Sequence, residues 1–573
     1  MIFPRRLLTA TSVAATMLVL TSCATLPTNN APQALRTFDA ATEMPTEMGP
    51  EPDAEADLLL RDFYVASALP VSDYAAARSY LTADANGQWN PENGPLIVDR
   101  LNITATAGGD ANERAFTIRG RLVGRLSDGG AYETDNAAYE ATIVMTRVDG
   151  QWRVSSLPEE IVIERTELLN HYEPHDLFFY NSNGRTLIPD RRWVYSSRDQ
   201  SLDTVLISML MEGPSEKIAP ATATADASAS GHAFSGYNNG VYTFTGFQDF
   251  DADERLRFGA QLTWTLSYAG LPGPYPVALD DAPVADGYEE LTTEDFADLN
   301  PRLATTKVAP LYALTEGRVL SVVASEASPV DGQLGTMGDI AAADITSEGA
   351  AAAVRRQGNE MALLVGRVDG QMQEVLRADS LTRPSFGRPS SGIWTVTGGD
   401  TVVRVSQSTA SGEFVESEVD TSQLSEENRH MSELQVSPSG ARVAMLSEGR
   451  LFVGIVATQS NDVPAIVNVE EYAVELDGSS LAVEWNPDGS LVVGTANPDT
   501  PVWRVELDGS VVTPLPASNI VAPVVAVAAS PSTVYATDGM AMRQLSADGI
   551  STGSSWRDIP GLRGVRSAPI VAN

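Results

Sequence analysis

From Asp57 the apolar positions fall into helical register, with Leu59, Phe63 and Ala66 at i, i+4 and i+7 on one face. Ser72 then reads as the N-cap of a second short helix carrying Tyr74, Ala77 and Leu81 as its stripe. Alternating runs follow at Leu96–Ala105, Arg114–Gly124, Tyr139–Val148 and Trp152–Ser156, and Asp149-Gly150 joins the last two as a hairpin turn. Helices followed by an antiparallel sheet predict an α+β domain over residues 53–165, which would suit a cone-shaped, NTF2-like wrap.

A second α+β domain is predicted over residues 171–295. Leu177-Phe178-Phe179-Tyr180 reads as a strand and Asn183-Gly184 as its turn. Ser201 can cap a helix with Leu202, Val205, Leu206 and Met209 on one stripe, and Gly213-Pro214 would stop it. A longer helix is expected from Ala252 to Tyr268, with Phe258, Leu262, Leu266 and Ala269 on one face and Gly270 past its end. Between them, the small-residue segment Ala219–Gly231 reads as a loop.

From residue 308 to 573 no helical period persists, and short strands alternate with Gly, Asp, Ser and Pro turns. One phrase recurs: Asp344-Ile-Thr-Ser-Glu-Gly-Ala, Leu434-Gln-Val-Ser-Pro-Ser-Gly-Ala and Val483-Glu-Trp-Asn-Pro-Asp-Gly-Ser. Degenerate copies begin at Ala526 and Arg383. Spacings of roughly 40 to 50 residues, about four strands each, indicate an all-β propeller. Five strand sets are fairly complete, whereas Leu311–Leu314 and Val319–Val323 lack inner partners. The terminal stretch Val565–Val571 could supply one, which predicts six blades closed by pairing the two ends of the domain.

The extreme N-terminus is of another kind. Arg5 and Arg6 precede an apolar stretch from Leu7 to Leu20, and Leu20-Thr21-Ser22-Cys23 follows. The stretch falls short of the roughly 20 residues that a bilayer requires, so residues 1–22 read as a secretory signal. The exit resembles the lipobox of bacterial lipoproteins. That resemblance implies S-diacylglycerol and N-acyl attachment at Cys23, and a mature chain held at the outer face of the cell membrane. Residues 23–52, rich in Pro, Thr, Ala and Asn, read as a flexible tether.

Composition narrows the partners. The chain has 75 acidic against 38 basic residues, a formal net charge of −37, so it repels nucleic acid and anionic headgroups. Cys23 is the single cysteine, which excludes disulfides and thiolate metal sites.

Candidate chemistry is sparse. Gly549-Ile550-Ser551-Thr552-Gly553 fits the nucleophile-elbow pattern, but that elbow needs a strand-to-helix turn and a later histidine. His171, His175, His232 and His430 all lie upstream. Asp249, Asp251 and Asp253 imitate a calcium loop, yet Glu254 stands where Gly is needed and Ala260 where Glu is needed. They read instead as an acidic lead-in to a helix. His171 and His175 are spaced as on a helix, but Pro174 intervenes and no further ligand is evident, so they read as ordinary histidines of an interdomain linker. Trp394, Trp485 and Trp503 fall on predicted strands as core residues. No catalytic constellation, metal site or cofactor motif emerges, and the expectation is a protein that is not an enzyme. The mark of an enzyme in the propeller mouth would be several acids clustered with an Arg or His in one pocket, and a channel lined only by apolar or scattered side chains would dispose of that reading.

In their order after the lipobox, several segments resemble the LpqB family of actinobacterial lipoproteins along nearly the whole chain. They are Cys23-Ala-Thr-Leu-Pro-Thr, Pro52-Asp-Ala-Glu-Ala-Asp-Leu-Leu-Leu-Arg-Asp-Phe, Ala75-Ala-Ala-Arg-Ser-Tyr-Leu-Thr and Gly150-Gln-Trp-Arg-Val. Leu187-Ile-Pro-Asp-Arg-Arg-Trp-Val, Glu212-Gly-Pro-Ser and Ala260-Gln-Leu-Thr-Trp-Thr-Leu look like the family's GerMN domain. The resemblance implies a non-enzymatic accessory of the MtrA–MtrB two-component system, acting on the extracytoplasmic region of the sensor kinase MtrB in cell-wall homeostasis and division. An alternative is a protein that binds or senses wall polymer such as peptidoglycan. Beyond Cys23 the family offers no site residue to carry over. The small-residue insert at 219–231 and the C-terminus Ser567-Ala-Pro-Ile-Val-Ala-Asn depart from the family pattern.

Overall fold

The computed structural model describes residues 49–91, 94–106, 111–197, 200–223, 231–302, 309–324, 326–387, 392–458, 463–547 and 554–572. Cys23, the signal and the elbow-like segment 549–553 lie outside the described residues. Residues 49–573 form one compact unit.

Helix α1 (Ala56–Ala66) buries Leu59, Leu60, Phe63 and Tyr64 against β5 (Gln151–Ser156) and β6 (Val162–Glu164). These strands belong to a six-stranded sheet with β1 (Leu96–Val98), β2 (Asn102–Ala105), β3 (Glu113–Leu126) and β4 (Tyr132–Val148). The order is β5-β4-β3-β1-β6, with β2 also on β3, and only β1–β6 is parallel. At the β4–β5 hairpin, Asp149 and Gly150 take φ of 52° and 82°, the two left-handed residues of a type I′ turn.

The single strand expected over Leu96–Ala105 is broken into β1 and β2. The break is made possible by Gly120 on β3, where a Cβ would lie 2.3 Å from Val98 Cγ1 and 2.7 Å from the Arg100 carbonyl. The expected second helix is also corrected. Ser72, Asp73 and Tyr74 all have positive φ, so Ser72 is no N-cap. Helix α2 is only Ala75–Arg78, and Leu81 leaves its stripe to bridge Val154. The cause is Arg78, whose guanidinium donates to the Asp73 and Trp89 carbonyls and to Asn86 Oδ1, folding the segment back onto α3 (Ala83–Gln88).

The segment expected to be a linker is helix α4 (Arg165–His171), which runs directly into β7 (Tyr172–Tyr180). It carries His171, and His175 sits in the strand. β7 pairs with β8 (Leu187–Tyr195), followed by α5 (Leu202–Glu212), β9 (Ala233–Asn238), β10 (Val241–Thr245), α6 (Ala252–Tyr268), β11 (Tyr275–Leu279) and β12 (Glu290–Leu291). The sheet order is β12-β11-β10-β9, and α6 is the crossover between parallel β10 and β11. Phe178, Leu206, Phe244, Phe258 and Leu262 form the shared core. Asp251 and Glu254 close a reciprocal capping box on α6, each accepting the other's backbone N–H at 2.9 Å. Ser201 stands at the N-cap of α5, but its hydroxyl pairs with Thr204 Oγ1 and not with a backbone N–H. The start of the expected loop insert is a 3₁₀ turn, Ala219–Ala221, and Thr222 bridges Asn181.

The remaining described strands make six four-stranded antiparallel sheets. The first joins Leu311–Thr315, Arg318–Val323 and Glu326–Pro329 to the C-terminal strand Ala568–Val571, with Leu311 opposite Val571 and Leu314 opposite Ala568. Each later sheet is built from consecutive strands and starts at Ile340–Ile345, Ser385–Phe386, Met431–Val436, Ser480–Trp485 or Ala526–Ser530. Each of these first strands packs on the next, and Ala568–Val571 touches both the last and the first of them. The recurring phrase makes the turn after the first strand, where Gly349, Gly440 and Gly489 have φ of 82°, 73° and 88°. Trp394 and Trp485 are buried, whereas Trp503 is partly buried.

Candidate functional site

The three regions meet at Glu470, on the outer strand Pro464–Tyr472 of the fourth sheet. One oxygen, Oε2, accepts from Thr134 N (3.1 Å) and Oγ1 (2.9 Å) of β4 and from Lys217 Nζ (2.8 Å) beyond α5. Lys217 also lies over the Tyr472 ring, 5.0 Å from its centroid. Burial opposes the Lys217 charge, but Tyr472 and Glu470 outweigh it and hold the ammonium well above its usual range.

Ion pairs extend the seam. Glu475 receives Arg165 at 3.1 Å and Arg121 at 3.4 Å from the first region. Arg191 on β8 joins Asp176 and Glu506, each at 2.8 Å, and Arg302 closes on the other Asp176 oxygen. Burial would raise the Asp176 carboxyl, yet Arg191 and Arg302 dominate and hold it below the ordinary carboxylate range. Trp193 Nε1 donates to Asp508 (2.9 Å), and Arg442 Nη2 donates to the Pro189 carbonyl (2.7 Å). Two grooves border this seam. One, of about 720 Å³, is lined by Arg100, Asn102, Arg119 and Arg121, and the other, of about 240 Å³, by Arg450, Glu471 and Asp477. Asn136 lines both.

A second constellation lies where the first strands of the sheets converge. Arg383, leading into the third sheet, donates from Nη2 to Glu484 Oε2 (2.8 Å) and places Nε 3.2 Å from Glu433 Oε1. Glu433 Oε2 accepts Val483 N (3.1 Å), Glu484 Oε1 accepts Trp485 N (3.0 Å), and the two Asp344 oxygens accept Ile345 N and Phe386 N, each at 2.9 Å. Sheets two to five are thereby tied together through three carboxylates and one guanidinium. Burial raises both Glu433 and Glu484, Glu484 to about 7, and Arg383 only partly offsets it. The Arg383 guanidinium resists burial because Glu484, Glu433 and Asp344 hold its proton.

This is the acidic cluster with an arginine that would mark a propeller-mouth enzyme, but all six carboxylate oxygens already face protein donors. Its residues went unrecognised in the repeats, although a signal was present. Asp344 and Glu484 stand five residues before the turn glycines Gly349 and Gly489, each a charged side chain where a core strand would carry an apolar one, whereas Gln435 holds that place before Gly440 and the cluster residue Glu433 lies two positions earlier.

The sequence candidates remain apart from both constellations. His171 faces Glu167 at 3.2 Å, and His175 faces Glu173 at 3.9 Å. Among the described residues no group of three or more His, Cys, Asp or Glu is placed to hold a metal ion. No helix of the described residues is long and apolar enough to cross a membrane.

Two family models match the chain: Lipoprotein LpqB, N-terminal domain, over residues 49–169, and Lipoprotein LpqB beta-propeller domain, over residues 317–572. Lipoprotein LpqB of Corynebacterium diphtheriae is 39% identical, with 99% of each chain covered. The Lipoprotein LpqB of Mycolicibacterium smegmatis is 32% identical, covering 99% of this chain and 100% of its own. That of Rhodococcus opacus is 32% identical over 97% and 96%.

Proposed function

The chain belongs to the LpqB lipoprotein family, and on that premise we propose that it is a non-enzymatic binding protein anchored on the extracytoplasmic face of the cell membrane. Cys23 would carry S-diacylglycerol and N-acyl groups, since two or more acyl chains hold firmly where one is marginal. Residues 1–22 would be its signal and 23–52 its tether, ahead of domains over 53–165, 171–295 and 308–573. We read the first as NTF2-like, the second as GerMN-like, and the six sheets as six blades closed by the pairing of Ala568–Val571 with Leu311–Leu314.

The partner proposed is the extracytoplasmic region of the sensor kinase MtrB, with the protein an accessory of the MtrA–MtrB system in wall homeostasis and division. The convergence of all three regions on Glu470 carries this reading. A body fixed at its seam offers a partner a preorganised surface and avoids much of the ordering cost of binding. The full carboxylate satisfaction at Arg383 supports a structural over a catalytic role there. Crosslinking in intact cells, with co-purification from membranes, tests the assignment. Recovery of peptides from the kinase's sensor region supports it, and their absence from both experiments rejects it.

The groove of about 720 Å³, with its arginines and asparagines, favours a second reading as a site for a polar wall polymer such as peptidoglycan. Sedimentation of the protein with purified wall would support that reading, and lack of retention would remove it.

A further inference from the structure

We propose that one rim of the propeller, where the fifth, sixth and first sheets meet, docks a segment of another protein in which apolar side chains are flanked by carboxylates. The proposal rests on the binding reading above, but not on the kinase being the partner.

Twelve large hydrophobic side chains are exposed among the described residues, and five of them gather here: Leu481, Val521, Val525, Met540 and Val565. Leu481 lies at the start of the first strand of the fifth sheet, and Val525 leads into that of the sixth. Val565 precedes Ala568–Val571, and Met540 sits in the turn between Thr533–Thr537 and Met542–Ser546. Antiparallel pairing puts all of these at one end of the strands, the end away from the recurring turn phrase. Val524 N donates to the Thr495 carbonyl (2.9 Å), Val525 N to the Thr537 carbonyl (3.0 Å) and the Thr537 hydroxyl to the Ser567 carbonyl, so the three sheets share a continuous edge.

Single exposed apolar side chains are ordinary, whereas a cluster marks a contact surface. This one is built. Asp538 is fully buried and accepts Val521 N (3.3 Å), Met540 N (2.7 Å), Ala541 N (2.7 Å) and Arg543 Nε (2.6 Å). Gly539 N donates to the Val521 carbonyl at 3.3 Å. Two loops are thereby fixed, with Val521 and Met540 held out at 52% and 65% exposure. A surface ordered in advance avoids part of the cost of binding. The bonds that join the first two regions to the propeller fall between Arg442 and Asp508, short of these loops.

Charge decides what covers the rim. Arg563 and Arg566 are exposed beside Val565, and among the described residues neither has a carboxylate within ion-pair reach. Asp538 and Asp558 are both taken by Arg543. The rim therefore offers two unspent guanidinium groups around an apolar centre. A formal net charge of −37 sets second copies against each other and works against anionic headgroups, which disfavours a homodimer or a lipid surface here. A foreign segment combining apolar residues with Asp or Glu matches both features.

Replacing Met540 of the full chain with the photo-crosslinking residue benzoylphenylalanine, in intact cells, tests this. The expected adduct is a peptide of another protein with apolar residues flanked by Asp or Glu. Its yield should fall about tenfold in Arg563→Glu/Arg566→Glu at an unchanged thermal midpoint. Val521→Asp, at a second exposed position of the rim, should lower it as well. Absence of an adduct, attachment to lipid or to a second copy, or a yield that either variant leaves unchanged overturns the proposal. A matching peptide from a protein other than the kinase upholds the rim and rejects the kinase assignment.

Discussion

At the scale of the residue, the seam depends on a few charges that cannot be removed singly. Glu470→Gln would leave Lys217 largely buried, at 13% side-chain exposure, with its main counter-charge gone. Breaking a buried pair from one side costs about 3 kcal/mol, more than the pair itself adds. A lowered thermal midpoint should therefore accompany faster hydrogen exchange around Thr134 and Lys217, whereas unchanged exchange there would deny Glu470 its joining role. Asp176 gives the same seam an acid limit. Arg191 and Arg302 hold its carboxyl below the ordinary carboxylate range on folding, so its contribution is complete above that range and lost as pH falls through the folded value. Exchange in β7 and β8 should rise when wild-type protein is taken below about pH 4. Asp176→Asn should lack that acid-induced step and be weaker at pH 7, since Arg191 and Arg302 would lose their shared carboxylate.

At the scale of the element, what the chain announces is what short-range chemistry decides. Helix α6 forms over the predicted Ala252–Tyr268 because its cap, stripe and terminating glycine all agree. Replacing Asp251 with Ala should cost about 1 kcal/mol, measurable by denaturant unfolding, because it removes half of the capping box. Asp149-Gly150 was equally legible, since both residues tolerate the left-handed turn that the strand twist requires. The recurring Ser-Pro-Ser-Gly and Asn-Pro-Asp-Gly phrases marked sheet turns for the same reason. Ser72 misled because Arg78, six residues on, claims the neighbouring carbonyls and reverses the chain. The split between β1 and β2 was hidden because it depends on Gly120, a residue from another strand. The Arg383 cluster was hidden still further, since it assembles four positions between 344 and 484 that only the packing of separate sheets brings together. The C-terminal strand belongs to this long-range class too, although the lack of a partner for Leu311–Leu314 gave it away. Thr315 and Thr537 both bond to Ser567, just before that strand. Ending the chain at Gly564 should expose the edge of Leu311–Thr315, and rapid proteolysis of the first sheet is the expected result. A truncated protein as resistant as the full chain would mean that this sheet does not need its inner strand.

At the scale of the whole molecule, attachment and folding should separate cleanly. The compact unit of the described residues begins at Gly49, and Cys23 precedes it in the chain, so the expectation is that replacing Cys23 leaves that unit folded. A formal net charge of −37 works against adhesion to anionic headgroups, which leaves acyl chains at Cys23 as the proposed source of membrane affinity. Cys23→Ala should therefore shift the protein from the membrane to the soluble fraction while its thermal midpoint stays that of the wild type. Continued membrane retention would place the anchor elsewhere, and a fall in midpoint would show that the N-terminal segment contributes to the fold. The same logic bears on the partner. If residues 23–52 act as a flexible chain, their root-mean-square reach is about 30 Å, enough to set the height at which the body would meet the kinase proposed as its partner. Shortening that segment by half should leave fractionation unchanged but alter the yield of crosslinks to the kinase's sensor region. Equal yields with long and short tethers would mean that the docking surface, and not the height above the membrane, fixes the encounter.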